Sequence, residues 1–282
     1  MAKQNRNKLN WLEQNLPEGL LVTASWLTKH GYSSSLRAQY VAAGRLEQPT
    51  RGVFRRPRGN LSWEQAVISL QTLLEFPVVV GGRTALELQG YAHFLPHKRI
   101  KIHLYSDRST PTWLHRLPLA IQFVPHRSSR LFRNDPITRG LSSLKWNIEV
   151  NRGHGDDQLQ AGLTIQPWGH WDWPLTLSSQ ERALLELLDE LPDRETFHQA
   201  DMLMEGLVNL SPRRLQKLLE NCKSVKVKRL FFFFADRHGH AWLRRLERKK
   251  IDLGKGKRML VRGGKLNQTY GITVPEDLDA VQ

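Results

Sequence analysis

The sequence predicts an α+β fold in two parts: a winged helix-turn-helix domain over residues 1–60, then a larger mixed α/β domain over residues 61–282. Three observations predict it. Residues 23–57 (TASWLTKHGYSSSLRAQYVAAGRLEQPTRGVFRRP) read as two short helices, a tight turn and a basic hairpin. Residues 77–124 hold apolar and alternating runs of strand character. From Ser178 onward apolar residues recur at helical spacing. The second part therefore divides into a sheet-and-helix segment, 61–177, and a helical segment with a basic hairpin, 178–282.

Leu9, Trp11, Leu12 and Leu16 give a first helix a partly apolar side, and Pro17 and Gly19 end it. Thr23 or Ser25 caps a second helix, because its hydroxyl accepts from an orphan backbone N–H. Trp26 and Leu27 form the apolar side of that helix, and Gly31 ends it. Ser33, Ser34 and Ser35 offer the next cap, ahead of Leu36, Tyr40 and Val41, and Gly44 closes the helix. The opposite side, around Ser34, Ser35 and Ala38 and flanked by Arg37 and Gln39, is small or polar. Such a surface can lie close to base edges in a major groove. Leu46, Pro49, Thr50, Gly52 and Val53-Phe54 then outline a two-stranded wing whose Arg51, Arg55, Arg56 and Arg58 are placed to meet phosphates.

The loop Arg58-Gly59-Asn60 marks the domain boundary. Ser62 and Gln65 form a capping box for a helix through Ala66, Val67, Leu70, Leu73 and Leu74, stopped by Phe76-Pro77. The strand Pro77–Val80 runs into Gly81-Gly82-Arg83-Thr84 and a helix start, a backbone that can hold an anion on free N–H groups. Ile100–Tyr105 alternates with period two, as does the stretch around Ala120 to Val124, while 106–118 and 125–140 read as loops. Trp146–Val150 is a short strand, Asn151–Gln158 a polar turn, and two more elements lie around Leu163–Ile165 and Trp171–Leu175. A helix opens at Ser178-Ser179-Gln180-Glu181, buries Ala183, Leu184, Leu187 and Leu188, and ends at Pro192. Thr196–Leu207 is the next helix, and Ser211-Pro212 starts another around Leu215, Leu218 and Leu219. Val225–Lys228 alternates like a strand, but the run to Gly239 favours a helix with a glycine cap, followed by another from His240 to Lys250.

The net charge of +15 is regional: residues 1–60 carry +7, residues 223–268 carry +12, and the remainder sums to −4. A polyanion met at two places is implied, and nucleic acid fits better than a membrane because neither segment is a long helix with a wide apolar face. Cys222 is the only cysteine, which excludes an intramolecular disulfide and a Cys-rich zinc site. The opening MAKQNRNKLN lacks an apolar stretch after its charges, and the apolar run Leu230–Ala235 is too short to span a bilayer, so a soluble cytoplasmic protein is expected.

Several segments together resemble the AbiEi-type antitoxins of abortive-infection type IV toxin–antitoxin systems. The resemblance lies in the wing module from Leu20 to Pro57 and in the motifs SSQERALLELL (178–188), VKVKRLF (225–231) and IDLGKGKRMLVRGGKLNQTYGITVP (251–275). It implies a winged helix that binds the promoter of its own operon, at inverted or direct repeats, and represses it. It also implies a C-terminal domain that antagonises a separate nucleotidyltransferase-like toxin, with no need for direct binding.

Gly81-Gly82-Arg83-Thr84 also resembles the entry of nucleotidyltransferase folds, where the next strand bears paired carboxylates that hold magnesium. Here that strand carries Lys101 and His103, and no acid precedes Asp107. A structural corner or a metal-free relative of that fold is expected, and an enzyme is not. His154 with Asp156-Asp157, and His238 with His240, are the other groups with metal-ligand character, and neither is expected to bind one. No cofactor is expected. A nucleic-acid-modifying enzyme targeted by the winged helix is the alternative reading. Arg83 and Thr84, and the cluster Arg244, Arg245, Arg248, Lys249, Lys250, Lys255, Lys257 and Arg258, are the candidates for an anion, an RNA contact or the surface that antagonises the toxin.

Overall fold

The structure, a computed structural model, describes residues 2–91, 100–133 and 162–279. The segments Trp146–Val150 and Asn151–Gln158, with His154, Asp156 and Asp157, lie outside the described residues.

Helix α1 (Ala2–Asn15) is followed by strand β1 (Leu21–Thr23), helix α2 (Ala24–Lys29) and helix α3 (Ser34–Ala42). Strands β2 (Glu47–Thr50) and β3 (Val53–Arg55) then form the wing. Leu12, Leu16, Leu27, Tyr32, Leu36, Tyr40, Leu46 and Phe54 bury one another in a core of their own. The two wing strands pair as the alternation implied, and a third strand joins them. Leu21–Thr23 pairs antiparallel with β3, so the sheet has the order β1-β3-β2. Three residues between Gly19 and the cap of α2 are too few to show a period, and pairing with β3 alone reveals them as a strand.

Helix α4 (Trp63–Gln71) opens with the capping box read from the sequence: Ser62 accepts from the Gln65 amide, and the Gln65 side chain accepts from the Ser62 amide. It ends earlier than the apolar pattern suggested, before Leu73 and Leu74. The α4 helix lies between the two parts. Ala66, Val67, Ile68 and Leu70 share one core with Leu20, Leu21 and Val53 on one side and Leu175 and Leu177 on the other. The Leu21 amide donates to Ser69 Oγ at 2.7 Å.

The larger part is built on a mixed five-stranded sheet of order β6-β5-β4-β8-β7. Its strands are β4 (Val79–Val80), β5 (Ile100–Tyr105), β6 (Ile121–His126), β7 (Leu163–Trp168) and β8 (Trp173–Ser178). Strands β5 and β6 run parallel, as do β4 and β8. The short helix α5 (Gly82–Leu86) and helix α6 (Gln180–Asp189) pack together beside it. Then come α7 (Phe197–Gly206), α8 (Pro212–Asn221) and α9 (Val225–His238).

Helix α9 settles the ambiguity at Val225. Ser224 caps it, Phe231 to Phe234 are buried on it, and Gly239 ends it in the left-handed conformation. No α-helix follows over His240–Lys250. Two 3₁₀ turns, Ala241–Arg245 and Arg248–Lys250, take its place. A continuous helix would align Arg244 with Arg248 and Arg245 with Lys249 at i,i+4, where like charges repel. The indole of Trp242 also anchors the segment by donating to the Leu207 carbonyl at 2.9 Å. A hairpin of β9 (Lys265–Asn267) and β10 (Ile272–Val274) and a last turn, α10 (Glu276–Asp279), complete the described chain.

Candidate nucleic-acid interface

The helix-turn-helix is set by caps and one buried phenol. Thr23, rather than Ser25, accepts from the Trp26 amide at 3.2 Å and so caps α2. Ser33 accepts from the Leu36 amide at 3.3 Å and caps α3. Between them Tyr32 is buried, with its hydroxyl donating to the Lys8 carbonyl at 2.6 Å, which ties the turn to α1. Leu36 and Tyr40 turn inward, which leaves Ser33, Ser34, Ser35, Ala38 and Gln39 exposed. The small, polar side of α3 thus faces solvent.

Arg37 is not part of that side. Its Nη1 donates to the Tyr32 carbonyl at 2.7 Å and to Thr28 Oγ1 at 2.8 Å, and its guanidinium lies 5.8 Å from the Phe54 ring centre. It braces α3 against α2 and the wing.

The wing arginines divide in the same way. Arg51, at the tip, is exposed and has no ion-pair partner among the described residues. Arg55 is 5% exposed. It lies opposite Glu47 in the β2–β3 register, bonds the Glu47 carboxylate at 2.6 Å and donates to the Gly59 carbonyl at 2.8 Å. Arg56 donates to the carbonyls of Glu13 and Leu16 and pairs with Glu18. Arg58 pairs with Glu18 at 3.4 Å and lies over the Trp171 ring, 5.1 Å from its centre. Arg55 is thus held within the wing by Glu47, Arg56 ties the wing to α1, and Arg58 ties it to the β7–β8 turn, with Glu18 close enough to neutralise both Arg56 and Arg58. Sequence reasoning passed over two other exposed cations of this unit: Lys29 at the end of α2 and Arg45 after α3. Replacing Arg55 by Ala should therefore cost stability, about 2–4 kcal/mol by urea unfolding, with little change in salt dependence on DNA. An unchanged unfolding midpoint with a weakened DNA complex would show that Arg55 leaves its pocket to bind phosphate.

The glycine corner holds an anion, and the anion is the protein's own. The Gly82 amide donates to Glu186 Oε2 at 2.9 Å, Arg182 Nε donates to Glu186 Oε1 at 2.8 Å, and Ser178 Oγ bonds the same oxygen at 3.0 Å. A Cβ on Gly81 would stand 2.3 Å from Glu186 Oε2 and 2.4 Å from the Tyr105 ring, so only glycine fits. Gly82 has φ +53°. Arg83 and Thr84 are engaged too. Arg83 forms a two-pronged ion pair with Glu195 and bonds Gln199, and Thr84 Oγ1 accepts from the His103 amide at 3.0 Å. The expected anion site at this corner is thus filled from within.

The strand after the corner presents Lys101 to solvent and buries His103. Asp107 Oδ1 accepts from the Ser129 amide at 2.8 Å. His238 bonds Asp201 at 2.8 Å, and His240 bonds the Met204 carbonyl at 2.8 Å.

One group escaped sequence reasoning: His103, His126 and Glu190, whose donor atoms lie within 4.8 Å of one another. The parallel pairing of β5 with β6 brings the two imidazoles together, His103 Nδ1 and His126 Nε2 being 2.9 Å apart. His126 Nδ1 stands 3.1 Å from Glu190 Oε1. The three form a line rather than a cradle, and a cation would have to displace the proton shared by the two rings. Burial, and then the neighbouring His126, hold His103 down at about 4. Burial pushes Glu190 up, but the bond from His126 and the nearby Arg194 outweigh it and leave the carboxyl below its usual range.

In the unfolded chain His103 takes up a proton near pH 6.5, while in the folded protein it stays neutral until about pH 4. Its contribution is intact above pH 6.5 and is lost as the pH falls toward 4, amounting to about 2 kcal/mol by about pH 5. A His103→Gln variant should lose that part of the slope in urea unfolding between about pH 7 and 5. An identical slope would place the titration elsewhere.

Comparisons with known proteins bear on the whole chain. The profile of the family described as "Transcriptional regulator, AbiEi antitoxin, Type IV TA system" matches residues 98–275. That of the "AbiEi antitoxin N-terminal domain" matches residues 5–97. The chain belongs to the AbiEi antitoxin family. No curated protein matches it. The crystal structure of the RV2827C protein from Mycobacterium tuberculosis is similar in fold, with a TM-score of 0.54 at 17% identity, over 94% of this chain and 88% of that one. No helix among the described residues is long and apolar enough to cross a membrane.

The second basic segment of this AbiEi antitoxin separates as the wing does. Arg248 is held by Asp236 and Tyr270 and lies over the Phe232 ring, and Lys250 pairs with Glu247. Arg244, Arg245, Lys249, Lys255, Lys257 and Arg258 are exposed, with no ion-pair partner among the described residues.

Proposed function

We propose that this antitoxin represses its own operon by laying α3 in the major groove of promoter DNA at repeated half-sites. Ser34, Ser35, Ala38 and Gln39 face the bases, and Arg51, Lys29 and Arg45 meet phosphates. The observation that carries this reading is the exposed, small and polar side of a recognition helix that is capped and braced from behind by Arg37.

The unit of residues 1–60 reads DNA, and residues 61–282 antagonise a nucleotidyltransferase-like toxin, without a tight complex being required. The protein turns over no substrate in this reading, which is supported by the filling of the glycine corner by Glu186. Truncation at Gly59 is a poor test, since it would strip Leu20, Leu21 and Val53 from the core that α4 shares. Point variants in the full chain serve better. Cells carrying Gln39→Ala with Arg51→Ala should lose repression of a promoter reporter yet remain protected when the toxin is expressed. Loss of both activities together, with the variant still folded, would refute the division.

A further inference from the structure

We propose that residues 252–265 form a second nucleic-acid surface, separate from the winged helix, whose ligand is a single-stranded polynucleotide. Three observations carry it. Between Arg244 and Lys265 stand ten Lys or Arg and two acids, and both acids are spent locally. Glu247 pairs with Lys250, and the Asp252 carboxylate accepts from the Gly254 amide at 2.7 Å. The surplus positive charge repels itself unless a polyanion meets it.

The segment is also built. Arg229, buried on α9, donates from Nε to the Leu253 carbonyl at 2.7 Å and from Nη1 to the carbonyls of Gly256 (2.6 Å) and Gly271 (3.3 Å). Thr273 Oγ1 accepts from the amides of Leu260 and Val261 at 2.8 and 2.9 Å. A buried guanidinium beside the exposed Arg258 is an electrostatic cost. Burial, and then the neighbouring Arg258, lower its affinity for its proton. That arrangement holds Lys255, Lys257, Arg258 and Arg262 outward on a fixed backbone.

The third observation selects the ligand. Met259 is 74% exposed in the middle of these cations. A polarizable thioether packs well against an aromatic face, and a base offers that face only when it is unstacked. From Asp252 to Gly264 the segment forms no helix or extended strand, only an isolated bridge at Arg258, so its cations sit on no element that could enter a duplex groove. Single-strand binding pairs cations along a backbone track with side chains that stack on the bases, and Met259 takes the stacking place here with its thioether.

The test uses the full chain and three fluorescent probes of about 20 nucleotides: oligo(U) RNA, oligo(dT) DNA and the protein's own promoter duplex. Replacing Lys255, Lys257, Arg258 and Arg262 together by Gln should weaken single-strand binding more than about tenfold and flatten its salt slope by about 3. Promoter binding should not change, and Lys→Arg at 255 and 257 should keep the single-strand affinity. Preference for oligo(U) or oligo(dT) then names RNA or DNA as the source. The proposal is overturned by unaltered single-strand binding in the Gln variant, by equal losses on duplex and single strand, or by polyglutamate competing as well as oligo(U). Because the promoter probe is read in parallel, failure of the winged-helix reading is seen separately.

Discussion

Glu186→Ala should destabilise the protein by about 3–5 kcal/mol, the cost of removing the carboxylate that faces the buried Arg182 guanidinium. Glu186 and Arg182 are 0% and 1% exposed, and the carboxylate also takes the Gly82 amide and the Ser178 hydroxyl. Burial pushes the Glu186 carboxyl up, and Arg182 and the Gly82 amide pull it back only in part. The alanine variant takes the acceptor from the Gly82 amide, the Ser178 hydroxyl and Arg182 Nε at once, at a fully buried site. Glu186→Gln keeps the volume and an acceptor for Gly82, so its loss should be clearly smaller. Urea unfolding decides it: a loss under about 1 kcal/mol for Glu186→Ala would mean that water replaces the carboxylate and that the corner is open to outside anions.

On promoter DNA, Gln39→Ala should cost about 1–3 kcal/mol against the base pair it reads and relax the preference at that position. Arg51→Ala should act differently, weakening all sequences alike and flattening the salt slope by about one. The contrast matters more than either loss. Binding to a library of half-site variants measures both, and a sequence-blind loss at Gln39 would move the recognition surface off α3.

The part of the fold that was legible in the sequence is the part held by neighbours close in the chain. The capping box at Ser62 and Gln65, the cap at Ser33 and the glycine end of α9 depend on contacts within four residues. The α3 surface was legible for the same reason, since its exposed side is what remains after Leu36 and Tyr40 turn inward.

What was not legible depends on distant partners. Arg56 and Arg58 look free in sequence, but Glu18, some forty positions earlier, lies beside them in the fold. Arg37 is captured by Tyr32 and Thr28 across the turn, a contact that exists only once the two helices cross. His103 and His126 meet through a parallel strand pair, and no spacing rule links residues 23 apart. The glycine corner was read as a backbone able to take an outside anion, but its Gly82 amide is already bonded to Glu186. That Glu186 fills it, 104 residues away, required the packing of α6.

The central claim is that the exposed side of α3 reads the operon's own promoter. Equilibrium binding of the full chain to that promoter duplex and to a scrambled duplex of equal length and composition, across a salt series, tests it most directly. Promoter binding at least about 10³-fold tighter near physiological salt is expected, with the gap closed largely by substitutions at Ser34, Ser35 and Gln39. Equal affinity for the two duplexes at every salt concentration would contradict it.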